Sequence, residues 1–204
     1  MSGIGKTFWS KRLESEGFKR FGCNKLIEEK LAPELTALSY SGIHDVAKWM
    51  GYPSESRYAK TSALFLHHEE QVLNDICDPV EKGVDSDVVI DTTGSIVYMP
   101  KSTIDRIKRI SKVVYLSSTL EYADMLYQRY IEDPKPIIWG SSFRKWPFES
   151  TKHAIARCYP KLLDYRAERY EHIAHVQVPY DVHNAFGLDT KSLLNTIQSA
   201  TTKP

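Results

Sequence analysis

The feature that most constrains the fold is the stretch Gly3-Ile4-Gly5-Lys6-Thr7, close to the amino terminus. It matches the second half of the phosphate-binding loop pattern GxxxxGK followed by Ser or Thr. In that loop, glycines let backbone N–H groups wrap a phosphate, the lysine reaches the terminal phosphates, and the hydroxyl binds Mg²⁺. The helix that follows directs its positive amino end at the same phosphates. The stretch therefore predicts a phosphate site at the start of an α/β fold.

The match is incomplete on its amino-terminal side. The first glycine of the pattern would precede Met1, and so would the β-strand that must lead into the loop. We interpret the chain as beginning inside its own first β-loop-α unit, through truncation or a misplaced start. The alternatives are an accidental match and a loose amino-terminal tail, since chain termini are often poorly ordered.

Uninterrupted apolar runs rich in β-branched residues predict two buried parallel strands. They are Val88–Ile90, ending in Asp91, and Val113–Leu116, ending in Ser117. Between them, Ser102–Ile110 has isoleucines at spacings of three, as on one helix face, which completes a β-α-β unit. A last strand is expected at Val176–Val178, and further helices at Phe8–Glu16, Ile43–Met50, Ala63–Ile76, Leu120–Tyr130 and Leu162–His175. This alternation predicts a doubly wound parallel sheet in one domain over residues 1–204.

Composition excludes several classes of protein. Lys and Arg number 27 against 26 Asp and Glu, so the net charge of +1 gives no long-range attraction to nucleic acid or to an anionic membrane. No apolar run approaches the roughly 18 residues that a membrane span needs. The 3 cysteines stand far apart, which argues against a disulfide framework and a zinc ribbon. We expect a monomer in the cytoplasm, or in a reducing organelle stroma if a targeting segment has been lost, with no nucleic-acid or membrane partner.

Four further motifs stand in a consistent order along the chain. Val89-Ile90-Asp91-Thr92-Thr93-Gly94 is similar to a modified Walker B element, and Ser41 to Gly51 resembles an acceptor-side helix. Asp133 to Ile138 is similar to a lid motif R-P-L-L, with Lys135 in place of the arginine. Arg166, Tyr170 and Ala174 match the spacing of a carboxy-terminal helix R-x-x-x-Y-x-x-x-A. Together with the loop, these motifs resemble the shikimate kinase family over nearly the whole chain.

That resemblance implies a P-loop NTPase three-layer sandwich with a parallel sheet, whose first strand is missing from this chain. It implies a kinase that uses ATP and Mg²⁺ to phosphorylate a hydroxyl of a small, anionic acceptor. The implied nucleotide-binding residues are Gly3, Ile4, Gly5, Lys6, Thr7 and Arg144, and those that would hold Mg²⁺ are Thr7 and Asp91. The implied catalytic residues are Lys6, Asp91 and Lys135, and the acceptor would contact Asn24, Gly94 and Arg166.

The segment 130–150, called the flap below, has a different composition from its surroundings. It is broken up by Pro134, Pro136, Gly140 and Pro147, and it carries the cations Lys135, Arg144 and Lys145. Such a segment is typical of a mobile cover over a ligand. We expect Lys135, with Arg144 or Lys145, to close onto the transferring phosphate.

The departures from the family pattern fall mainly on the acceptor side. Gly22 and Asn24 occupy the places of an acidic pair, so the general base is not identified. Leu66 replaces a carboxylate-binding arginine. An insert around 52–61 carries Arg57, which we consider as a replacement cation for the acceptor. Two family glycines are replaced as well, by Thr93 and Ser95.

Other interpretations stay open. The chain could be a degenerate member that binds nucleotide, or only folds like a kinase, and serves as a regulatory or interaction module. It could instead phosphorylate a nucleotide or a sugar acid, because Tyr52 and Tyr58 near the insert could wall a bulkier pocket. Asp91 could simply cap the turn after its strand, and Arg166 could lie on a solvated helix face.

Overall fold

The computed structural model describes residues 3–85 and 87–200, without the side chains of Leu120 and Glu121. Over these residues the protein is a mixed α/β structure, mostly helical, with two small parallel sheets. The elements are, in order, α1 (Lys6–Ser15), β1 (Lys19–Gly22), α2 (Cys23–Lys30), α3 (Ala32–Thr36), α4 (Ile43–Met50), α5 (Tyr58–Glu81) and β2 (Val88–Asp91). They continue with α6 (Lys101–Ile110), β3 (Val114–Leu116), α7 (Leu120–Glu132), α8 (Thr151–Ile173), β4 (Val176–Val178), α9 (Tyr180–His183) and α10 (Thr190–Ser199).

The strands form two parallel pairs. β1 lies beside β2 in a register that sets Gly22 opposite Asp91, and β3 lies beside β4 with Leu116 opposite Val178. Within residues 3–85 and 87–200, β2 and β3 are joined through α6 but do not pair with each other. The predicted α/β class is confirmed, while the predicted continuous sheet is found as two separate pairs.

The long helix α8 begins well before its predicted start, at Thr151 rather than Leu162. Its first turn is capped by the Ser150 hydroxyl, which accepts a hydrogen bond from the backbone N–H of His153 at 3.2 Å. Pro160 lies inside the helix. Proline disfavours helix interiors, so the helix predicted from the sequence began after Pro160. None of the helices in the described ranges is long and apolar enough to cross a lipid bilayer.

Strand β1 has no apolar run from which a strand could be predicted, since its first two residues are Lys19 and Arg20. It forms because it pairs with β2 along its whole length and packs against α1. The strands predicted from the sequence do not include this one. Tertiary pairing therefore decides the structure of this segment.

The middle of the flap belongs to the hydrophobic core. Ile137, Ile138 and Trp139 are buried, and the side chain of Trp139 is among the largest that are fully covered. The Tyr58 hydroxyl donates to the carbonyl of Ile137 at 3.0 Å and accepts from the N–H of Trp139 at 2.9 Å. Farther along the flap, Phe148 is fully exposed. The middle of the flap is thus anchored in the core. The predicted mobile cover is therefore restricted to the segments on either side of residues 137–139.

Candidate functional site

The predicted phosphate loop forms a glycine turn that leads directly into α1. Gly3 and Gly5 have φ values of 79° and 107°, a left-handed conformation that favours glycine, and Lys6 is the first residue of the helix. The loop is held from outside by Arg129, whose Nη1 donates to the carbonyl of Gly3 at 2.9 Å. The positive end of the helix dipole at this turn favours a bound anion.

The loop opens onto a cavity of about 750 Å³, called the site cavity below. Its walls come from the start of α1, the carboxyl ends of β1 and β2, the start of α2, the flap and α8. The sequence-predicted residues on its walls are Gly3, Gly5, Lys6, Thr7, Asn24, Asp91, Gly94, Lys135 and Arg166. Residues from distant parts of the chain therefore meet around one volume, which lies within the usual range of ligand sites.

Three predicted residues do not line the site cavity. Ile4 is buried in the hydrophobic core. Arg57 forms an ion pair with Glu55, with Nη2 and Oε2 2.8 Å apart. Arg144 lies in the flap, where its carbonyl accepts a hydrogen bond from Arg157 Nη2 at 2.6 Å. The aromatic residues of the insert, Tyr52 and Tyr58, are also absent from the cavity lining, and the aromatic walls are Phe8, Phe21 and Phe65 instead.

Lys6 is half-buried on the wall of the site cavity. Removal of its ammonium group from water lowers its pKa. The neighbouring Asp91 carboxylate acts in the opposite direction, while Arg166 and Lys135 lower the pKa further. An anion bound among these cations would favour the charged form of Lys6.

Asp91 is buried at the end of β2, between the loop and β1. Arg20 Nη2 donates to Asp91 Oδ2 at 3.0 Å, and Arg20 Nε donates to the hydroxyl of the buried Ser10 at 2.8 Å. Asp91 is therefore paired with a guanidinium. Sequence reasoning missed Arg20, because a lone arginine in a short charged strand carries no motif.

A second carboxylate lies beneath the site cavity. Glu69 on α5 is 1% exposed and accepts hydrogen bonds from the hydroxyls of Thr93 and Ser95. Burial raises the pKa of Glu69 to about 7, against the opposing effects of the two hydroxyls and of Arg166. The two residues that replace family glycines thus serve as donors to a buried acid. The only sequence signal for Glu69 was its alignment with the glutamate of a family pattern, F-R-x-x-E.

Arg166 is the most deeply placed cation of the site, at 5% exposed. Its Nη2 donates to the carbonyl of Ile138 at 2.8 Å, while its Nε is buried without a protein partner in the described residues. Gly94 makes room for it, because a Cβ atom at that position would lie 2.8 Å from Arg166 Nη1. The carbonyl of Gly94 accepts a hydrogen bond from the Tyr170 hydroxyl at 2.7 Å. A buried guanidinium with an unused donor is suited to bind a carboxylate or a phosphate.

Lys135 reaches the site cavity from the flap, and its Nζ pairs with Asp133 Oδ2 at 2.9 Å. On the opposite wall, Thr7 and Asn24 are exposed at the starts of α1 and α2. The amide of Asn24 cannot accept a proton as a general base would. The cavity therefore has cations on several sides and no dedicated base at the predicted position.

Mg²⁺ can be tested against the donors that this cavity offers. Among residues 3–85 and 87–200, no group of three His, Cys, Asp or Glu side chains is placed to hold a metal ion. Mg²⁺ in nucleotide sites keeps several waters and takes one or two protein ligands besides the phosphates. Thr7 and Asp91 line the same cavity, and Asp91 Oδ2 accepts from Arg20 Nη2, so these two residues would hold such an ion only weakly and through water.

Two comparisons with known proteins found no match. No protein-family profile matches the sequence. No curated protein is similar to it at a significant level. Function therefore has to be inferred from the residues of the cavity and their contacts.

Proposed function

We propose that this chain is a divergent P-loop phosphotransferase of the shikimate kinase-like class, with a three-layer α/β sandwich, that transfers the γ-phosphate of ATP to a small anionic acceptor. One observation carries this proposal. The glycine turn with Lys6 at the start of α1, Asp91 at the end of β2 and Arg166 from α8 face one cavity. These are the parts that phosphoryl transfer needs, a phosphate cradle, an acid for the metal and cations for the transferring group.

The nucleotide side is built from the loop and from α1. Gly3 and Gly5 form the turn, and Lys6 and Thr7 stand beside them on the cavity wall. In the proposed complex these groups bind the β- and γ-phosphates, and the helix dipole adds to the attraction. Bound Mg²⁺, held by Thr7 and by Asp91 through water, would neutralise the phosphate charge.

The acceptor side is built from Arg166 and its neighbours. The unused Nε donor of this buried guanidinium supports binding of a carboxylate or phosphate on the acceptor. Lys135 stands on the flap side, where it would neutralise charge on the transferring phosphate. Phosphoryl transfer through a loose transition state depends mainly on positioning and charge, which reduces the need for the base that Asn24 does not supply.

The experiment that tests this proposal uses Lys6→Ala. We expect isothermal titration calorimetry to show loss of Mg-ATP binding, while the far-UV CD spectrum stays unchanged. Lys11→Ala is the matched control, because Lys11 lies on the exposed face of the same helix. Equal ATP affinity in the wild type and in Lys6→Ala would show that the loop assignment is wrong.

A second candidate function is a nucleotide-binding module without catalysis. The ion pair between Arg20 and Asp91 favours it, because the acid that would assist Mg²⁺ is already neutralised by a guanidinium. Gly22 and Asn24, where the family has acids, favour it as well. An assay of phosphate release in the presence of small hydroxy acids, sugar acids and nucleosides separates the two. Binding of ATP without turnover in any mixture would support the module.

A further inference from the structure

A buried hydrogen-bonded cluster lies behind the wall of the site cavity and consists of Glu69, Thr93 and Ser95. It is called the Glu69 cluster below. Thr93 and Ser95 line the cavity, whereas Glu69 of α5 is not part of the lining. All three residues are at most 5% exposed. The two hydroxyl residues therefore stand between a ligand in the cavity and a carboxylate that is shielded from water.

Three contacts between oxygen atoms hold this cluster together. The Thr93 and Ser95 hydroxyls contact different oxygens of the Glu69 carboxylate, and the two hydroxyl oxygens are 2.7 Å apart. Two hydroxyls supply two protons, so an ionised Glu69 leaves one of the three contacts without a proton between its oxygens. A protonated Glu69 supplies the third proton and closes the contacts into a ring, in which each group donates once and accepts once. The cluster therefore has a place for one additional proton.

The surroundings of Glu69 set the pH at which that proton is taken up. Arg166 and Tyr170 of α8 and Cys23 of α2 face the carboxyl group. Burial raises the pKa of Glu69 to about 7, while the two hydroxyls and Arg166 act in the opposite direction. The carboxyl group therefore gains and loses its proton near neutral pH, the range in which a general base is most effective.

The other acids on the wall of the site cavity are arranged differently. Asp91 accepts a hydrogen bond from Arg20 Nη2 at 3.0 Å, so its charge is already paired. Glu14 and Glu29 are exposed, in the last turns of α1 and α2. Of these acids and Glu69, only Glu69 combines burial with an incomplete set of protons among its contacts.

The position of Arg166 brings an acceptor to this cluster. A Cβ atom at Gly94 would lie 2.8 Å from Arg166 Nη1, so the guanidinium stands against the residue that separates Thr93 from Ser95. An acceptor whose carboxylate or phosphate binds the guanidinium has its nearest atoms beside these two residues. Ser95 has the greater capacity to accept a hydrogen bond, because Thr93 Oγ1 already accepts from the backbone N–H of Ser95 at 3.0 Å. A hydroxyl a few bonds from the anionic group of the acceptor would reach it.

We propose that the Glu69 cluster accepts the proton of the acceptor hydroxyl, through Ser95, during phosphoryl transfer. This inference rests on the phosphotransferase function proposed above, and it supplies the base that Asn24 does not. The acceptor oxygen forms a bond to the γ-phosphorus of ATP, and the bond from that phosphorus to the β–γ bridging oxygen breaks to leave ADP. The proton of the acceptor hydroxyl passes to the Ser95 hydroxyl, whose own proton passes to the Glu69 carboxylate. After the product leaves, Glu69 returns its proton to water by the same route, so one proton is released per phosphate transferred.

The test is the pH dependence of ADP formation from Mg-ATP between about pH 5.5 and 8.5, with water, glycerate or gluconate as the acceptor. In the wild type we expect kcat to rise with pH and to level off above about 7, as Glu69 becomes ionised. Glu69→Gln should lower kcat on the order of a hundredfold and abolish this rise, because the amide fills the ring of contacts but takes up no proton. Calorimetry should show an unchanged Kd for Mg-ATP.

Glu70→Gln is the matched control. Glu70 is the next residue of the same helix, and it accepts a hydrogen bond from the Thr103 hydroxyl at 3.2 Å outside the site cavity. Its kcat and pH profile should equal those of the wild type. Ser95→Ala keeps the carboxylate but removes its connection to the cavity, so kcat should fall at least about tenfold. The double variant of Glu69→Gln and Ser95→Ala should lose no more than Glu69→Gln alone, because both changes interrupt one route.

Three results would overturn the proposal. A rise of kcat with pH that persists in Glu69→Gln would mean that another group is the base, even if kcat is lower, and the phosphotransferase function would stand. Multiplicative losses in the double variant would mean that Ser95 and Glu69 act separately. Mg-ATP binding by the wild type without ADP formation on any of the three acceptors would remove the phosphotransferase and the base together. If the CD spectrum shows that Glu69→Gln does not fold, the pH profile of Ser95→Ala decides, and a profile equal to that of the wild type would refute the proposal.

Discussion

Arg20 Nη2 lies 3.0 Å from Asp91 Oδ2, and the same guanidinium donates through Nε to the Ser10 hydroxyl at 2.8 Å. This one side chain thus connects β1 to the end of β2 and to α1, at the wall of the site cavity. Because Asp91 is buried, this pair differs from an exposed ion pair, whose free energy is largely screened by water.

The first prediction concerns that pair. Arg20→Gln leaves the buried Asp91 carboxylate without its guanidinium, so we expect the free energy of unfolding in urea to fall by about 1–3 kcal/mol. Lys19→Ala is the matched control, since Lys19 pairs with Asp85 on the same strand but its side chain is 56% exposed against 18% for Arg20. A loss within about 1 kcal/mol is expected there. If the free energy of unfolding falls equally in the two variants, the Arg20–Asp91 pair is no more stabilising than an exposed ion pair.

The second prediction concerns pH. A glutamate in the unfolded chain titrates near 4.5, whereas burial raises the pKa of Glu69 to about 7. The folded state therefore holds an extra proton on Glu69 between these values, so the contribution of Glu69 to stability is greatest below about pH 4.5 and falls as the pH rises towards 7. The loss is on the order of 3 kcal/mol. Urea denaturation at several pH values should show this slope in the wild type.

Glu69→Gln should remove most of that slope, because the amide does not titrate. Glu70→Gln, on the next residue of the same helix, should keep it. A slope that is the same in the wild type and in Glu69→Gln would mean that another group is responsible.

The third prediction concerns the space beside Gly94. A Cβ atom there would lie 2.8 Å from Arg166 Nη1, closer than side chains pack. Because Arg166 is buried and bonded to the Ile138 carbonyl, we expect Gly94→Ala to destabilise the fold by about 1–3 kcal/mol. In an Arg166→Met background the same substitution should cost less, which a double-mutant cycle in urea would show. Additive losses would argue that the alanine acts elsewhere.

The fourth prediction concerns the acceptor. Arg166→Ala should lower kcat/KM for the true acceptor about ten- to a hundredfold and leave the KM for ATP nearly unchanged, because a charge-assisted hydrogen bond is lost. Arg169→Ala, on the exposed face of the same helix, is the control.

Shikimate should be a poor substrate, since Asn24 and Leu66 stand where an acid and an arginine would contact it. Efficient phosphorylation of shikimate by the wild type would refute this.

The fifth prediction concerns the flap. Tyr58→Phe removes both hydrogen bonds to the backbone of Ile137 and Trp139, so amide exchange of residues 137–139 should become faster. Tyr52→Phe serves as the control, because Tyr52 is partly exposed and has no contact of this kind with the flap in the described residues. If exchange at Trp139 is unaffected by Tyr58→Phe, the burial of the flap rather than the hydroxyl anchors it.

Local periodicity is enough to predict several of the helices and strands. Val88–Asp91 and Val176–Val178 are strands because short β-branched runs favour extended backbone, and α4 has its predicted bounds because its apolar residues share one face. The turn through Gly3 and Gly5 was also readable, since its left-handed conformation requires glycine. These features depend on residues that are neighbours in the chain.

Contacts between distant residues depend on how the helices and strands pack and cannot be predicted from local patterns. The pairing of β1 with β2 overrides a charged strand sequence, and it sets Arg20 against Asp91. Gly94 is needed because Arg166 from α8 fills the space beside it. Thr93 donates a hydrogen bond to a buried acid because α5 places Glu69 next to it. Local sequence patterns report which residues tend to be buried, whereas the partner of a buried charge is set by how helices and strands pack.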